Sequence, residues 1–154
     1  MKIKNEIWCF IPARSGSKTI KHKNLYKIRG KELIKYSVGF AKKSNLFHKI
    51  IFSSDSVRYF NVIKKFKSIE FHHRNKKISK DKTTDLEVFQ DYLKIAEKKF
   101  KYLPKYFAHL RPTTPLRKKN YVIEAIKKIK RSPNITALRA VSPMSNPSFK
   151  TMII

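Results

Sequence analysis

The chain of 154 residues carries 37 Lys and Arg against 10 Asp and Glu, a formal net charge of +27. Its 41% hydrophobic content excludes a disordered, charge-dominated composition and suits a single domain that buries roughly two thirds of its unfolded surface. No apolar run approaches the ~20 residues that span a bilayer, and the N-terminus lacks a secretory signal's succession of regions, so the expectation is a soluble, cytoplasmic protein without membrane insertion.

A pI near 10.3 would ordinarily point to nucleic acid. Here the cations are mostly lysines spread along the whole chain, accompanied by Ile, Asn and Phe and only 3 Gly. A compositional background is therefore favoured over a nucleic-acid footprint, and anions will be attracted non-specifically either way. Cys9 is the only cysteine and lies in the first apolar run, which leaves no internal disulfide or zinc cluster and predicts a buried structural thiol.

In chain order, the apolar run from Glu6 to Pro12 predicts a first strand. A helix follows over Lys31 to Lys43, with Leu33, Ile34, Ser37, Val38 and Ala41 on one face. Lys49 to Ser53 reads as a second strand, Val57 to Phe66 as a helix, and Ile69 to His72 as a short strand. Thr84 with Glu87 three residues on forms a capping box opening a helix whose apolar side is Val88, Phe89, Tyr92, Leu93 and Ala96. Tyr106 to Leu110 reads as a strand, Asn120 to Lys130 as a helix and Thr136 to Val141 as a last strand. Such alternation specifies an α/β fold with a three-layer, doubly wound, mostly parallel sheet covered by helices on both faces.

Ligands in such sheets bind outside the carboxyl ends of the strands. The first strand empties into Ala13-Arg14-Ser15-Gly16-Ser17-Lys18, then Lys21-His22-Lys23-Asn24. A buried strand followed by a small-residue, cationic loop presents backbone N–H groups and fixed charge to a phosphate chain, so a nucleoside triphosphate is the expected ligand. Arg14 can grip two phosphate oxygens with its planar fork, Lys18 and Lys23 act as point charges, Gly16 permits close backbone approach and Asn24 can donate an amide hydrogen bond. Lys21 and Lys27 read as background.

The same residues carry a family resemblance. Ile11-Pro12-Ala13-Arg14-Ser15-Gly16-Ser17-Lys18 with Lys23-Asn24 resembles the nucleotide-binding signature of the acylneuraminate (CMP-sialic acid) cytidylyltransferases. Ile51 to Asp55, Ser79 to Asp85 and Leu110-Arg111-Pro112-Thr113-Thr114-Pro115-Leu116-Arg117 follow in that family's order. The resemblance implies a Rossmann-like nucleotide-diphospho-sugar transferase fold, one nucleotidyltransferase domain over 1–154 that is incomplete at its C-terminal end, and a homodimer in the full-length family. It also implies transfer of CMP from CTP to an acidic nine-carbon sugar of sialic, legionaminic or pseudaminic type, for surface polysaccharide synthesis.

By that resemblance the nucleotide-binding residues are Arg14, Ser15, Gly16, Ser17, Lys18, Lys23, Asn24, Arg74, Thr83 and Thr84, with Arg14 and Lys23 as the catalytic candidates that neutralise charge on the departing pyrophosphate. Arg74 stands where a family arginine contacts the nucleotide near its base, and a solvated basic turn is the alternative there. Thr84 is equally a helix cap. Arg111, Thr113, Thr114 and Arg117 are the sugar-binding candidates, because an arginine fork suits the sugar's carboxylate. The position of Arg111 is often glutamine in the sialic acid enzymes, which leaves the sugar open, and a subunit contact is the alternative for Arg117.

Mg²⁺ is the expected companion of CTP. The resemblance implies that the family's metal-binding aspartate pair would fall beyond Ile154; Asp55 and Asp81 are the carboxylates nearest the proposed cleft, and Asp55 is a minor metal candidate whose main role is to orient the loop after its strand. Ser142 to Lys150 resembles the segment leading into the family's dimerisation lobe. No serine-histidine-acid grouping is assembled from the sequence. Two other readings remain open: a nucleotide-binding module without turnover, and a basic nucleic-acid-binding domain.

Overall fold

The computed structural model describes residues 2–141 in two units, one ending at Arg117 and the second beginning at Lys118. The Ser142 to Lys150 segment lies outside the described residues.

The first unit is built on a four-stranded sheet of β1 (Lys2–Pro12), β4 (Lys49–Ser54), β5 (Glu70–His73) and β6 (Tyr102–His109) in the order β5-β4-β1-β6. Every ladder in this sheet is parallel, with Phe10 opposite Ile51 on one side and His109 on the other. Ile7 to Ile11 of β1 are all buried, because this central strand is covered on both faces. Alternation along it separates two cores: Cys9 and Ile11 point to one side, Trp8 and Phe10 to the other.

The Cys9 side packs on α1 (Leu33–Ser44) and α2 (Val57–Ile63) through Ile34, Val38, Ala41, Tyr59 and Ile63. The Trp8 side packs on α3 (Asp85–Phe100) through Val88, Tyr92 and Ala96. Trp8 makes edge contacts with Tyr92, Phe100, Tyr102 and Phe107, and its indole N–H donates to Glu6 at 2.7 Å. Each of these large buried side chains contributes about 1.5–3 kcal/mol through burial. Cys9 is buried as expected, and burial pushes its thiol well above the usual thiol range.

The order of crossovers decides where a ligand can sit. Connections through α1 and α2 carry the chain from β1 outward to β5, whereas α3 carries it back past β1 to β6. The reversal lies between β1 and β6, and open α/β sheets bind ligands outside the carboxyl ends of the strands at such a point.

Several elements differ from the sequence-based expectations. β1 begins at Lys2 and β6 at Tyr102, each four residues early. A small hairpin of β2 (Lys27–Ile28) and β3 (Lys31–Glu32) precedes α1, turning through Arg29 and Gly30, both at positive φ. That turn geometry matches the twist of paired strands.

The second unit contains α4 (Lys119–Arg131), whose Val122, Ile123, Ile126 and Ile129 are half-buried, while Lys128, Lys130 and Arg131 occupy its last turn, where cations favour the helix dipole. The strand expected over Thr136 to Val141 is absent. Those residues are exposed and join no ladder, and an extended segment without a neighbour to take its N–H and C=O groups has no reason to persist as a strand. Among the described residues no helix is long and apolar enough to cross a membrane.

Candidate functional site

Pro12 ends β1, and the chain is fixed by the Ala13 N–H donating to the Ser53 carbonyl at 2.8 Å. The loop is then anchored from β4's end: Asp55 accepts from the Ser15 N–H at 2.8 Å and from the Ser15 hydroxyl at 2.7 Å. Both Asp55 oxygens are thus engaged in holding the loop after β1, rather than the loop after its own strand that the sequence suggested. Ser17 closes a turn by donating its N–H to the Ser15 carbonyl at 3.1 Å.

Asn24 is 6% exposed, and its side-chain amide donates to the Arg14 carbonyl at 3.0 Å. It braces the backbone that carries Arg14. Lys23, half-buried, opens the short 3-10 turn containing Asn24, with its N–H donating to the Ile20 carbonyl. Lys23 makes no ion pair among the described residues.

Arg14 and Lys18 do pair, and with the same carboxylate. Asp81 lies 2.7 Å from Arg14 Nη1 through one oxygen and 2.7 Å from Lys18 Nζ through the other. Hydrogen bonds from Lys18 and then Arg14 hold the Asp81 carboxyl below its ordinary range. Two cations flanking a single acceptor group present the charge and spacing that a phosphate would meet. Gly16 sits between them at a place where an added Cβ would meet nothing within 4 Å.

Arg74 follows β5 and is 6% exposed. Its N–H donates to the Ser54 carbonyl at 2.9 Å and its Nη2 to the Ser53 carbonyl at 3.2 Å, while Nε has no partner among the described residues. Burial pushes this guanidinium below its ordinary pKa, with Asp55 and Asp85 opposing that shift. A buried arginine with an unfilled N–H and, among the described residues, no carboxylate in contact is incompletely neutralised, which distinguishes Arg74 from the solvated basic turn of the alternative reading.

On the other side of β1, the segment after β6 is organised around the Arg111 carbonyl. It accepts from the Ser37 hydroxyl at 3.3 Å, from the Thr114 N–H at 3.2 Å and from Arg117 Nη2. Arg117 Nη1 also donates to Ser37 Oγ at 2.9 Å, so its guanidinium ties this turn to α1 and is engaged within the protein. The Arg111 side chain is exposed and pairs with Asp85, the first residue of α3. Thr113 and Thr114 are exposed on the same turn.

Thr83 is half-buried and donates its N–H to the Lys80 carbonyl. Thr84 caps α3: its Oγ1 accepts the Glu87 N–H at 3.2 Å, and Glu87 Oε2 accepts the Thr84 N–H at 2.6 Å.

One constellation was not read from the sequence. Ser53, His72 and Asp91 form a hydrogen-bonded chain, with Ser53 Oγ 2.9 Å from His72 Nδ1 and His72 Nε2 2.9 Å from Asp91 Oδ2. This corrects the expectation that no serine-histidine-acid grouping could be assembled. The three residues are far apart in sequence and meet only through the β4–β5 register and the packing of α3; the available signal was a serine and a histidine at inward strand positions. Ser53 is fully buried, so its hydroxyl is not presented as a nucleophile. Burial lowers the His72 pKa and the Asp91 bond raises it, with a net shift downward. His109 at the end of β6 is likewise lowered, chiefly by burial.

Residues 8–144 match the family model described as Cytidylyltransferase. The chain is 34% identical over 145 residues to "Post-translational flagellin modification protein B" of Campylobacter coli, covering 94% of this chain and 62% of that protein. It is 41% identical over 96 residues to "CMP-N,N'-diacetyllegionaminic acid synthase" of Campylobacter jejuni, covering 62% of this chain and 41% of the relative. It is 30% identical over 146 residues to "N-acylneuraminate cytidylyltransferase" of Escherichia coli, covering 95% and 33%. The chain thus spans between about a third and three fifths of the length of these relatives. Among solved structures, a CMP:2-keto-3-deoxy-manno-octonic acid synthetase complexed with CTP aligns with a TM-score of 0.66 at 16% identity, over 84% of this chain and 49% of the other, which supports the fold.

Proposed function

This chain belongs to the cytidylyltransferase family, and from that membership we propose that it transfers CMP from CTP to the anomeric hydroxyl of an acidic nonulosonic sugar of sialic, legionaminic or pseudaminic type. The sugar hydroxyl oxygen attacks the α-phosphorus, the bond to the bridging oxygen breaks, pyrophosphate leaves and the hydroxyl proton passes to solvent. CTP brings about four negative charges, and the chemistry requires positioning and charge neutralisation more than acid–base help.

The observation that carries this reading is the pairing of Arg14 and Lys18 across one carboxylate beside the switch point of the sheet. Arg14, Lys18 and Lys23 hold the triphosphate, with the backbone at Ser15, Gly16 and Ser17 approaching it closely. Arg14 and Lys23 neutralise charge on the leaving group. Asn24 acts through Arg14, and Arg74 supplies a guanidinium toward the nucleotide. Thr83 lies beside it, whereas Thr84 serves α3 first. Arg111, with Thr113 and Thr114, faces the sugar's carboxylate once released from Asp85; Arg117 supports that turn.

A divalent cation is the expected partner of the triphosphate. Among the described residues no group of three or more His, Cys, Asp or Glu could hold one, and both oxygens of Asp55 are engaged by Ser15. These residues do not make a metal site, and no step above depends on one. The cytoplasm, where CTP is made, is the proposed location, and association as a homodimer is a further expectation checked by light scattering.

The test is pyrophosphate release from CTP in the presence of a panel of acidic sugars, at about physiological salt to damp non-specific attraction. Release that needs both CTP and one of these sugars supports the reading. CTP binding without release from any sugar favours the module without turnover.

A further inference from the structure

Ser53 lies at the carboxyl end of β4, directly across the ladder from His72. Its carbonyl accepts two groups at once: the Ala13 N–H at 2.8 Å, where the first loop begins, and Arg74 Nη2 at 3.2 Å. These are the roots of two parts of the proposed nucleotide site, carried by β1 and β5. Any rotation of the Ser53 peptide would move both.

What fixes that peptide from the side-chain direction is His72. The ring is 3% exposed and is packed by Phe10 and Tyr92 at centroid distances of 6.3 and 5.3 Å. Asp91 accepts at Nε2, which places the ring proton there and leaves Nδ1 as the acceptor for the Ser53 hydroxyl. This polar chain runs from the buried Ser53 to the half-exposed Asp91, and hydrophobic side chains of similar shape often replace such buried polar groups without loss of stability. Its distinguishing property is direction: hydrogen bonds define where the Ser53 main chain stands, and apolar contacts do not.

We propose that His72 is a positioning residue for the nucleotide site, holding through Ser53 the carbonyl that sets both the Arg14 loop and Arg74; this rests on the CTP reading above. Neither His72 nor Ser53 touches the nucleotide. Asp91 acts one step further back by fixing the ring.

The test is calorimetric titration of CTP into the whole chain at constant salt, with thermal unfolding measured in parallel without nucleotide. His72→Asn places an amide oxygen near Nδ1 and keeps an acceptor for Ser53. His72→Gln reaches toward Asp91 and leaves the Ser53 hydroxyl unmatched. Both variants lose stability, but only His72→Gln is expected to weaken CTP binding, by about tenfold, the size of one misplaced hydrogen bond to a charged group. His72→Asn is expected to stay within about twofold of the wild type. Asp91→Ala, at the half-exposed end of the chain, guards against misfolding of the His72 variants and is expected to weaken CTP binding by about threefold or more. Equal CTP affinity in all variants, or equal weakening by Asn and Gln, would leave His72 a mere brace of the core and overturn the proposal. A wild-type chain that does not bind CTP would instead overturn the CTP reading, and this role with it.

Discussion

Replacing Gly16 by alanine separates what the fold needs from what a ligand needs. A Cβ at Gly16 would meet no protein atom within 4 Å, and its φ is not in the left-handed region. The folded protein therefore gives no reason for a glycine. Removing glycine's freedom from the unfolded chain stabilises by about 0.4–1 kcal/mol at a compatible position. For a chain of this length that raises the melting temperature by about 1–3 °C. If phosphate oxygens approach this backbone between Arg14 and Lys18, the same methyl group displaces them. Loss of one charge-assisted hydrogen bond, about 1.5–3 kcal/mol, weakens CTP binding by roughly 10- to 150-fold. Thermal unfolding and CTP calorimetry on Gly16→Ala should thus move in opposite directions. A variant that is slightly more stable and binds CTP as tightly as the wild type would refute the placement of the triphosphate over this loop.

Asn24→Ala leaves the Arg14 carbonyl without its buried donor, at a cost of about 1–3 kcal/mol in urea unfolding, and weakens CTP binding through Arg14. Asp81→Asn removes the carboxylate that competes for Arg14 and Lys18, and tighter CTP binding by calorimetry is expected; weaker binding would instead assign Asp81 a direct contact with the ligand. Thr84→Ala removes the cap of α3 and lowers stability by about 1 kcal/mol in urea unfolding.

Stability should also depend on pH in a defined sense. His72 and His109 both have pKa values lowered in the folded state, mainly by burial, from an ordinary 6.5. The unfolded chain therefore takes up protons first, and their contribution is complete above about 6.5 and declines as pH falls toward the folded values. Asp81 and Glu87, lowered by their hydrogen bonds, add to the loss only at more acidic pH. Urea midpoints measured across this range should fall with decreasing pH, and His72→Asn should flatten the portion just below 6.5.

The buried strands were legible because periodicity and composition agree there. β1 and β4 are apolar runs, and Thr84 with Glu87 announced α3 by chemistry that the structure realises in both directions. β6 was read too short: Pro104 followed by Lys105 interrupts the strand pattern, yet a proline is tolerated in a strand at the end of a sheet's order. The β2–β3 hairpin turns on Arg29 and Gly30, a weaker signal than Asn-Gly. Thr136 to Val141 had strand-like residues but no ladder to join. Within the site, the loop cations were readable as charge following a strand. Asp81 was readable as a carboxylate near the cleft, but its pairing with both cations, and the Ser53–His72–Asp91 chain, depend on how distant segments meet, which no local pattern encodes.

The most direct test of the central claim is calorimetric binding of CTP against ATP and GTP to the purified chain at about physiological salt, repeated with Arg14→Ala. A nucleotide site built on these residues binds CTP more tightly than ATP or GTP, and Arg14→Ala weakens that binding. Equal affinity for all three nucleotides, insensitive to Arg14, would mean that the binding reflects the net charge of +27 rather than a nucleotide site, and would contradict it.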